Sequence, residues 1–359
     1  MSTTPFFTIA LAGYRTEPYL PRALASVTGQ TFTDFEVICY VEESPDRSLE
    51  LCQEQAARDS RFIVVTAPKS GAVSSTRNYA IDHAQGKYLI ALDGDDELDV
   101  HMLEKLAHKL AETGPVDVLA FAMTTTTENA ALPAATGRLT NFKTSDAVGV
   151  YTGIEALRRA GRNGGQFRSY TCSNAYRTQF LREHRLYQRV GRVMEDFEWT
   201  PRVWFAAEKF AYLDEELYTY FRRGNSLTTE ASSRLVFDLA AQVKSLLDFF
   251  SASPIPEDLR KIWGNQFLAT FYWFLFHPVS SRKISNSDRQ KALAALFAQN
   301  GKAQFRQLSR YASRPKRLAV PLLSLAAAGM VWPAKLYFRA FYYPLIEFRN
   351  TRRRRSQSR

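Results

Sequence analysis

Short, unbroken apolar runs alternate with segments of helical spacing through the first third of the chain. Phe6 to Ala12, Phe35 to Val41, Phe62 to Thr66, Tyr88 to Leu92 and Val118 to Met123 read as buried strands. Between them, Tyr19 to Thr28, Ser48 to Arg58, Val73 to Ala84 and Val100 to Glu112 set apolar residues three and four apart, the period of a helix with one buried face. Strand–helix alternation with continuously apolar strands predicts an α/β fold whose mostly parallel sheet is covered by helices on both faces.

The pattern then changes. Residues 124–152 are rich in Thr, Ala and Gly and predict a polar excursion or a pair of edge strands. Helical spacing returns at Gly153 to Ala160 and from Asn174 to about Arg185, and a further helix is expected after Met194-Glu195-Asp196. Ala211 to Phe221 reads as a strand. From about residue 230 to 312 the spacing is helical only, with an aromatic-heavy stretch at Phe267 to Phe276. The expected organisation is therefore an α/β domain over 1–228, a helical C-terminal region over 229–312 and an amphipathic basic tail over 313–359.

Composition alters this picture mainly through charge. Of 359 residues 45% are hydrophobic and 23% charged, which excludes a disordered chain. The net charge of +11 suggests a nucleic-acid partner until it is located: residues 310–359 hold twelve Lys and Arg and one acid, Glu347, so the first 309 residues balance. Nucleic acid is accordingly not the expected partner. Seventeen uncharged residues separate Arg317 from Lys335, short of the ~20 that span a bilayer, and Pro321 and Pro333 interrupt them. Aromatic residues follow among Lys335 and Arg339, and Arg352 to Arg355 close the chain, so the tail is expected on the inner face of the cell membrane. Cys39, Cys52 and Cys172 form no C-x-x-C pair, and the first ten residues lack a signal-peptide pattern; both lead to the expectation of a cytoplasmic protein with reduced thiols.

Candidate chemistry begins where the fourth strand runs into Asp93-Gly94-Asp95-Asp96-Glu97. Ligands of open α/β sheets bind beyond the carboxyl ends of strands. Carboxylates two apart across a glycine can converge on a hard cation such as Mg²⁺ or Mn²⁺. An EF-hand is excluded, because Leu98 stands where its loop needs glycine. Ser70-Gly71-Ala-Val-Ser74-Ser75-Thr76-Arg77-Asn78 offers free N–H groups at a helix start and a forked donor, a combination suited to phosphate or a base edge. Glu195-Asp196-Phe-Glu198-Trp199-Thr200 opens a helix with acids. Such acids ordinarily complement the helix dipole, but one in a cleft can act as general base on a hydroxyl.

Together with Tyr19-Leu-x-x-Ala23-Leu24-x-Ser26-Val-x-x-Gln30-Thr31-Phe32 and Tyr220-x-Arg222-Arg223-x-x-Ser226-Leu-Thr, these segments make the chain resemble the family 2 glycosyltransferases over roughly residues 6–226. The resemblance implies the Rossmann-like GT-A fold and an inverting transfer from a nucleoside-diphosphate-sugar, first of all a UDP-sugar, to a glycan or lipid-linked hydroxyl in cell-surface polysaccharide synthesis. It implies that Asp93 and Asp95 form the D-x-D motif that holds the ribose and a divalent metal, with Asp96 in support. Arg77 and Asn78 would line the nucleotide pocket, and Asp196 of the Glu195-Asp196 pair would be the catalytic base. It further suggests Trp199 as acceptor platform and Arg222 or Arg223 as diphosphate partners.

Two segments depart from the family pattern. The first strand ends in Ala12-Gly13-Tyr14-Arg15 where P-x-Y-N is common, and the second in Glu42-Glu43-Ser44-Pro45-Asp46 where an Asp-Asp-Gly-Ser segment is common. Glu42 can still accept from a base edge, with its carboxylate moved by ~1.5 Å, one C–C bond. A dinucleotide oxidoreductase lacks its G-x-G-x-x-G here. The remaining alternatives are a catalytically silent scaffold of the same fold and a basic-tail binding protein.

Overall fold

The computed structural model describes residues 4–127, 137–162, 167–223, 232–253, 255–277, 281–310, 312 and 314–346. The chain divides into two compact units, Met1–Gly224 and Asn225–Arg359.

The first unit begins with the expected alternation: β1 (Phe7–Gly13), α1 (Leu20–Thr28), β2 (Phe35–Glu42), α2 (Ser48–Arg58), β3 (Phe62–Ala67), α3 (Ser74–His83) and β4 (Tyr88–Asp93). It continues with β5 (Glu97–Leu98), α4 (Met102–Thr113), β6 (Val118–Thr127), β7 (Gly137–Leu139), α5 (Gly153–Arg162), β8 (Asn174–Arg177), α6 (Thr178–Glu183), α7 (Glu195–Ala206) and β9 (Phe210–Arg222). One sheet runs in the order β3-β2-β1-β4-β8-β6-β9-β5, with β7 on the edge of β6. Strands β1 to β4 pair in parallel, and β2 is buried along its whole length, as its unbroken apolar run requires. Leu20, Ala23, Leu24 and Val27 are the buried stripe of α1.

One expectation fails at Asn174 to Arg185. Its first four residues form β8, which is antiparallel to both neighbours, pairing Tyr176 with Leu89 of β4 and with Val118 of β6. Helical spacing begins only at Thr178. Hydrogen-bond partners on both sides hold Asn174–Arg177 extended and override the local period. The Thr-rich excursion proves to be the end of β6 with β7 as an edge strand; its middle, 128–136, lies outside the described residues, as do Ser226 and Arg352 to Arg355.

The second unit is helical throughout the described residues: α8 (Ser233–Ala252), α9 (Glu257–Phe276), α10 (Asn286–Phe297), α11 (Gly301–Ser309), α12 (Arg314–Ala327) and α13 (Trp332–Tyr337), which passes directly into a π-helical turn, Phe338–Tyr342. Ser232 and Ser285 cap α8 and α10 by accepting from Leu235 N–H and Asp288 N–H. Leu268, Phe271, Tyr272 and Leu275 of α9 are fully buried, and Phe338 packs 4.7 Å from the Tyr272 ring. No helix among the described residues is long and apolar enough to cross a membrane.

Candidate active site

The carboxyl end of β4 delivers Asp93, in register with Ala12 of β1. The chain then turns tightly: Gly94 N–H donates to Ala12 O at 3.0 Å, and Asp96 N–H to Asp93 O at 3.0 Å. A Cβ on Gly94 would stand 2.7 Å from Ala12 O, so the spacer between the two outer acids has to be glycine for the turn to lie this close to β1.

The three acids of the turn differ in environment. Asp96 is 1% exposed and accepts from Tyr218 OH at 2.7 Å and Phe221 N–H at 2.9 Å. Burial, with Asp93 nearby, pushes its carboxyl well above the ordinary range. Asp96 is therefore a structural anchor of the turn. Asp95 pairs with Arg223, whose guanidinium lies 4.1 Å from the Tyr19 ring centre, while Arg22 donates to Asp95 O at 2.8 Å. Asp93 remains a third exposed.

Arg77, on the first turn of α3, links this turn to the acids of α7. Its Nη2 donates to Asp93 Oδ1 at 3.2 Å and its Nη1 to Glu195 Oε1 at 2.6 Å, with Thr171 Oγ1 at 3.4 Å from the same nitrogen. Burial works against the guanidinium charge, and the carboxylates of Asp93 and Glu195 outweigh it. Burial raises Glu195 above the usual range against the pull of Arg77. Asp196 follows on the same helix start. It is half-buried by surface yet surrounded by enough protein to displace water, and that desolvation, reinforced by the Glu195 carboxylate, lifts it to about 8. Met194, just before Glu195, has φ 61°, a left-handed conformation that α7 follows directly.

Five of the seven expected site residues, Arg77, Asp93, Asp95, Glu195 and Asp196, thus cluster at the carboxyl end of the sheet. The other two lie at the same end of the sheet with different partners. Glu42, at the end of β2, accepts from Ser70 Oγ and from Gly71 N–H at 3.5 Å, so its longer side chain ties down the loop before α3. Asn78 clamps the segment leading to α7: its Nδ2 donates to Gln188 O at 2.7 Å and its Oδ1 accepts Gln188 N–H at 2.8 Å. Trp199 is not an acceptor platform. It is 2% exposed, donates to Leu186 O at 2.7 Å and packs against Tyr176, because its position on α7 faces the core. Tyr218, Arg22 and Thr171 escaped the sequence reading, since a tyrosine in a strand and a threonine before one carry no local signal. Arg22, a base set among the apolar positions of α1, could have drawn notice.

Asp93 and Asp95 supply hard oxygen donors, and no cluster of three Asp, Glu, His or Cys among the described residues forms a ready metal cage. Asp93 and Asp95, paired here with Arg77 and Arg223, would be the oxygen donors to a divalent cation that arrives with a diphosphate.

Residues 8–161 match the family described as glycosyl transferase family 2. The uncharacterized glycosyltransferase EpsJ of Bacillus subtilis is 29% identical over 227 residues, 62% of this chain and 63% of EpsJ. The minor teichoic acid biosynthesis protein GgaB of the same species is 32% identical over 117 residues, 32% of this chain and 13% of GgaB. The matched stretches are thus under two-thirds of either relative. The structure of TarS 1–349 from S. aureus in complex with UDP-GlcNAc superposes with a TM-score of 0.68 at 19% identity, covering 94% of this chain and 92% of that one, a likeness of fold.

Proposed function

The chain belongs to the family 2 glycosyltransferases, with a GT-A fold, and from that membership we propose that it is an inverting transferase moving a hexosyl or N-acetylhexosaminyl unit from a nucleoside-diphosphate-sugar, a UDP-sugar first, to a hydroxyl of a glycan or lipid-linked acceptor in cell-surface polysaccharide synthesis. The observation that carries the reading is the ion-paired chain Asp93–Arg77–Glu195, which ties an acid turn suited to a cation-borne diphosphate to the helix start that carries the proton acceptor, Asp196.

On this reading Asp196 accepts the acceptor hydroxyl proton as that oxygen attacks the anomeric carbon from the face opposite the diphosphate. The new C–O bond forms, the old one breaks with its electron pair going to the nucleoside diphosphate, and configuration inverts. Arg77 holds Glu195 and Asp93 in place. Asp93 and Asp95 would hold a Mg²⁺ or Mn²⁺ ion brought by the donor, which when bound would offset charge on the leaving group. Residues 1–228 would carry donor binding and chemistry. The basic segment 313–359 supports a cytoplasmic enzyme resting on the inner membrane face.

The test is a thermal-shift titration with UDP-, GDP-, CDP- and dTDP-sugars, with and without Mn²⁺. Ligand at a hundredfold excess over Kd adds ~2.7 kcal/mol to the folded state. A metal-dependent shift with one nucleotide, lost in Asp95→Ala, is expected; silence with every donor refutes the proposal.

A further inference from the structure

Seven of the thirteen exposed large apolar side chains among the described residues fall between 318 and 345, whereas those of the first unit are all valine or isoleucine. Residues 314–346 contain five Lys and Arg and no acid. On α12, Ala319, Val320, Leu323 and Ala326 are buried, yet Leu318 and Leu325 point outward, so the helix is apolar on both sides. On α13 and its continuation, Trp332 is 67% exposed and Phe341 65%, with Leu336 and Leu345 also outward, while Ala334, Phe338 and Tyr342 face inward.

The π turn is what keeps this outer row together. Trp332 and Phe341 are nine residues apart, and at ~100° per residue an unbroken α-helix would set them on opposite sides. A π turn accommodates one extra residue. At Phe338–Tyr342 it returns Phe341 to the outer side while Phe338 and Tyr342 stay in the core. The scaffold beneath is tied down: Tyr337 OH donates to Pro315 O at 2.7 Å and Tyr343 OH to Tyr272 O at 2.8 Å. Arg314, Arg317, Lys335 and Arg339 are exposed among these apolar residues.

We propose that α12, α13 and the π turn form a preformed docking face for an anionic lipid bilayer, with Trp332, Leu336 and Phe341 entering the headgroup boundary and Arg317, Lys335 and Arg339 meeting acidic headgroups. Apolar bulk with an aromatic at its edge and cations of one sign fits that surface, and a helix too short to span lies in its plane. The proposal rests on the membrane reading given above but moves the contact from the arginine run to a folded face, and it is independent of sugar transfer.

The full chain is sedimented with phosphatidylglycerol-containing vesicles and with pure phosphatidylcholine vesicles. Binding to the acidic vesicles is expected. Trp332→Ser with Phe341→Ser should weaken it at least tenfold, and Lys335→Glu with Arg339→Glu about fivefold for each cation removed. Replacing Arg352 to Arg355 by Gln should leave binding that still depends on Trp332 and Phe341. Far-UV melts of each variant report folding, and Trp332→Phe serves where the double serine variant does not fold, with loss of quenching by brominated acyl chains as readout. No binding, binding lost with the arginine run alone, or a dimer that the Trp332 and Phe341 substitutions dissociate would overturn the proposal. Vesicle binding without any donor-induced thermal shift would instead overturn only the transferase reading.

Discussion

Arg77 and Glu195 stand 118 positions apart in sequence and 2.6 Å apart in the fold, both nearly closed to solvent. Breaking a buried pair leaves an uncompensated charge, which costs ~3–5 kcal/mol. Arg77→Ala should therefore lower stability by that order in urea unfolding, with Glu195→Gln costing less because the neutral amide tolerates burial. Equal and negligible effects of both would show that the pair does not organise the site.

Asp196 ties stability and activity to pH in opposite senses. Its carboxyl titrates near 3.8 in the unfolded chain and about 8 in the fold, so between those values the folded state binds the extra proton. Its contribution is full below pH ~4 and disappears as pH climbs through 8. The acids held low by partners, Asp46, Asp59 and Asp214, act in the other window and lose their stabilisation as pH falls below ~4. In donor-free protein Tm should fall from pH 5 to pH 8, and Asp196→Asn should flatten that slope. In transfer assays kcat/KM should climb toward pH 8 as the base loses its proton, and the same substitution should abolish turnover. A rate independent of pH across this range would exclude Asp196 as base.

Much of this site is legible locally, and the rest is not. The run Tyr88 to Asp93 carries its own strand signal and places the acids at a sheet end, and Glu195-Asp196 carries its own helix start. What Arg77 touches cannot be read from its neighbours, because its acceptors come from β4 and α7 and meet only when the sheet is assembled. Strand β8 hides for the same reason: residues 174–177 are extended because β4 and β6 flank them. Trp199 misled because an aromatic beside acids looks alike whether it faces cleft or core.

Asn78 holds the segment leading to α7 through two hydrogen bonds to the Gln188 backbone. Asn78→Ala should remove both, at ~1–3 kcal/mol for the pair. Because α7 carries the acids, kcat should fall more than donor affinity. A matching loss in both, read from initial rates and thermal shift, would mean that Asn78 touches the nucleotide itself.

Tyr218→Phe deletes the hydroxyl that bonds Asp96 at 2.7 Å inside the core. A buried carboxyl stripped of a donor costs ~1–3 kcal/mol. The expected result is a lower urea midpoint together with weaker metal-dependent donor binding, as the acid turn loosens. Unchanged donor affinity would confine Tyr218 to packing.

The hold of β9 on the acid turn dictates when, during synthesis, a working site can exist. Asp93 and Asp95 have left the ribosome long before Tyr218 and the Phe221 amide that fix Asp96, and before Glu195 that neutralises Arg77. Contacts of such sequence separation form late. A nascent chain halted after residue 161 possesses the two carboxylates but no rigid turn to aim them, so competence for donor should appear in a single step, once the ninth strand has emerged, joined the sixth and closed on the acid turn.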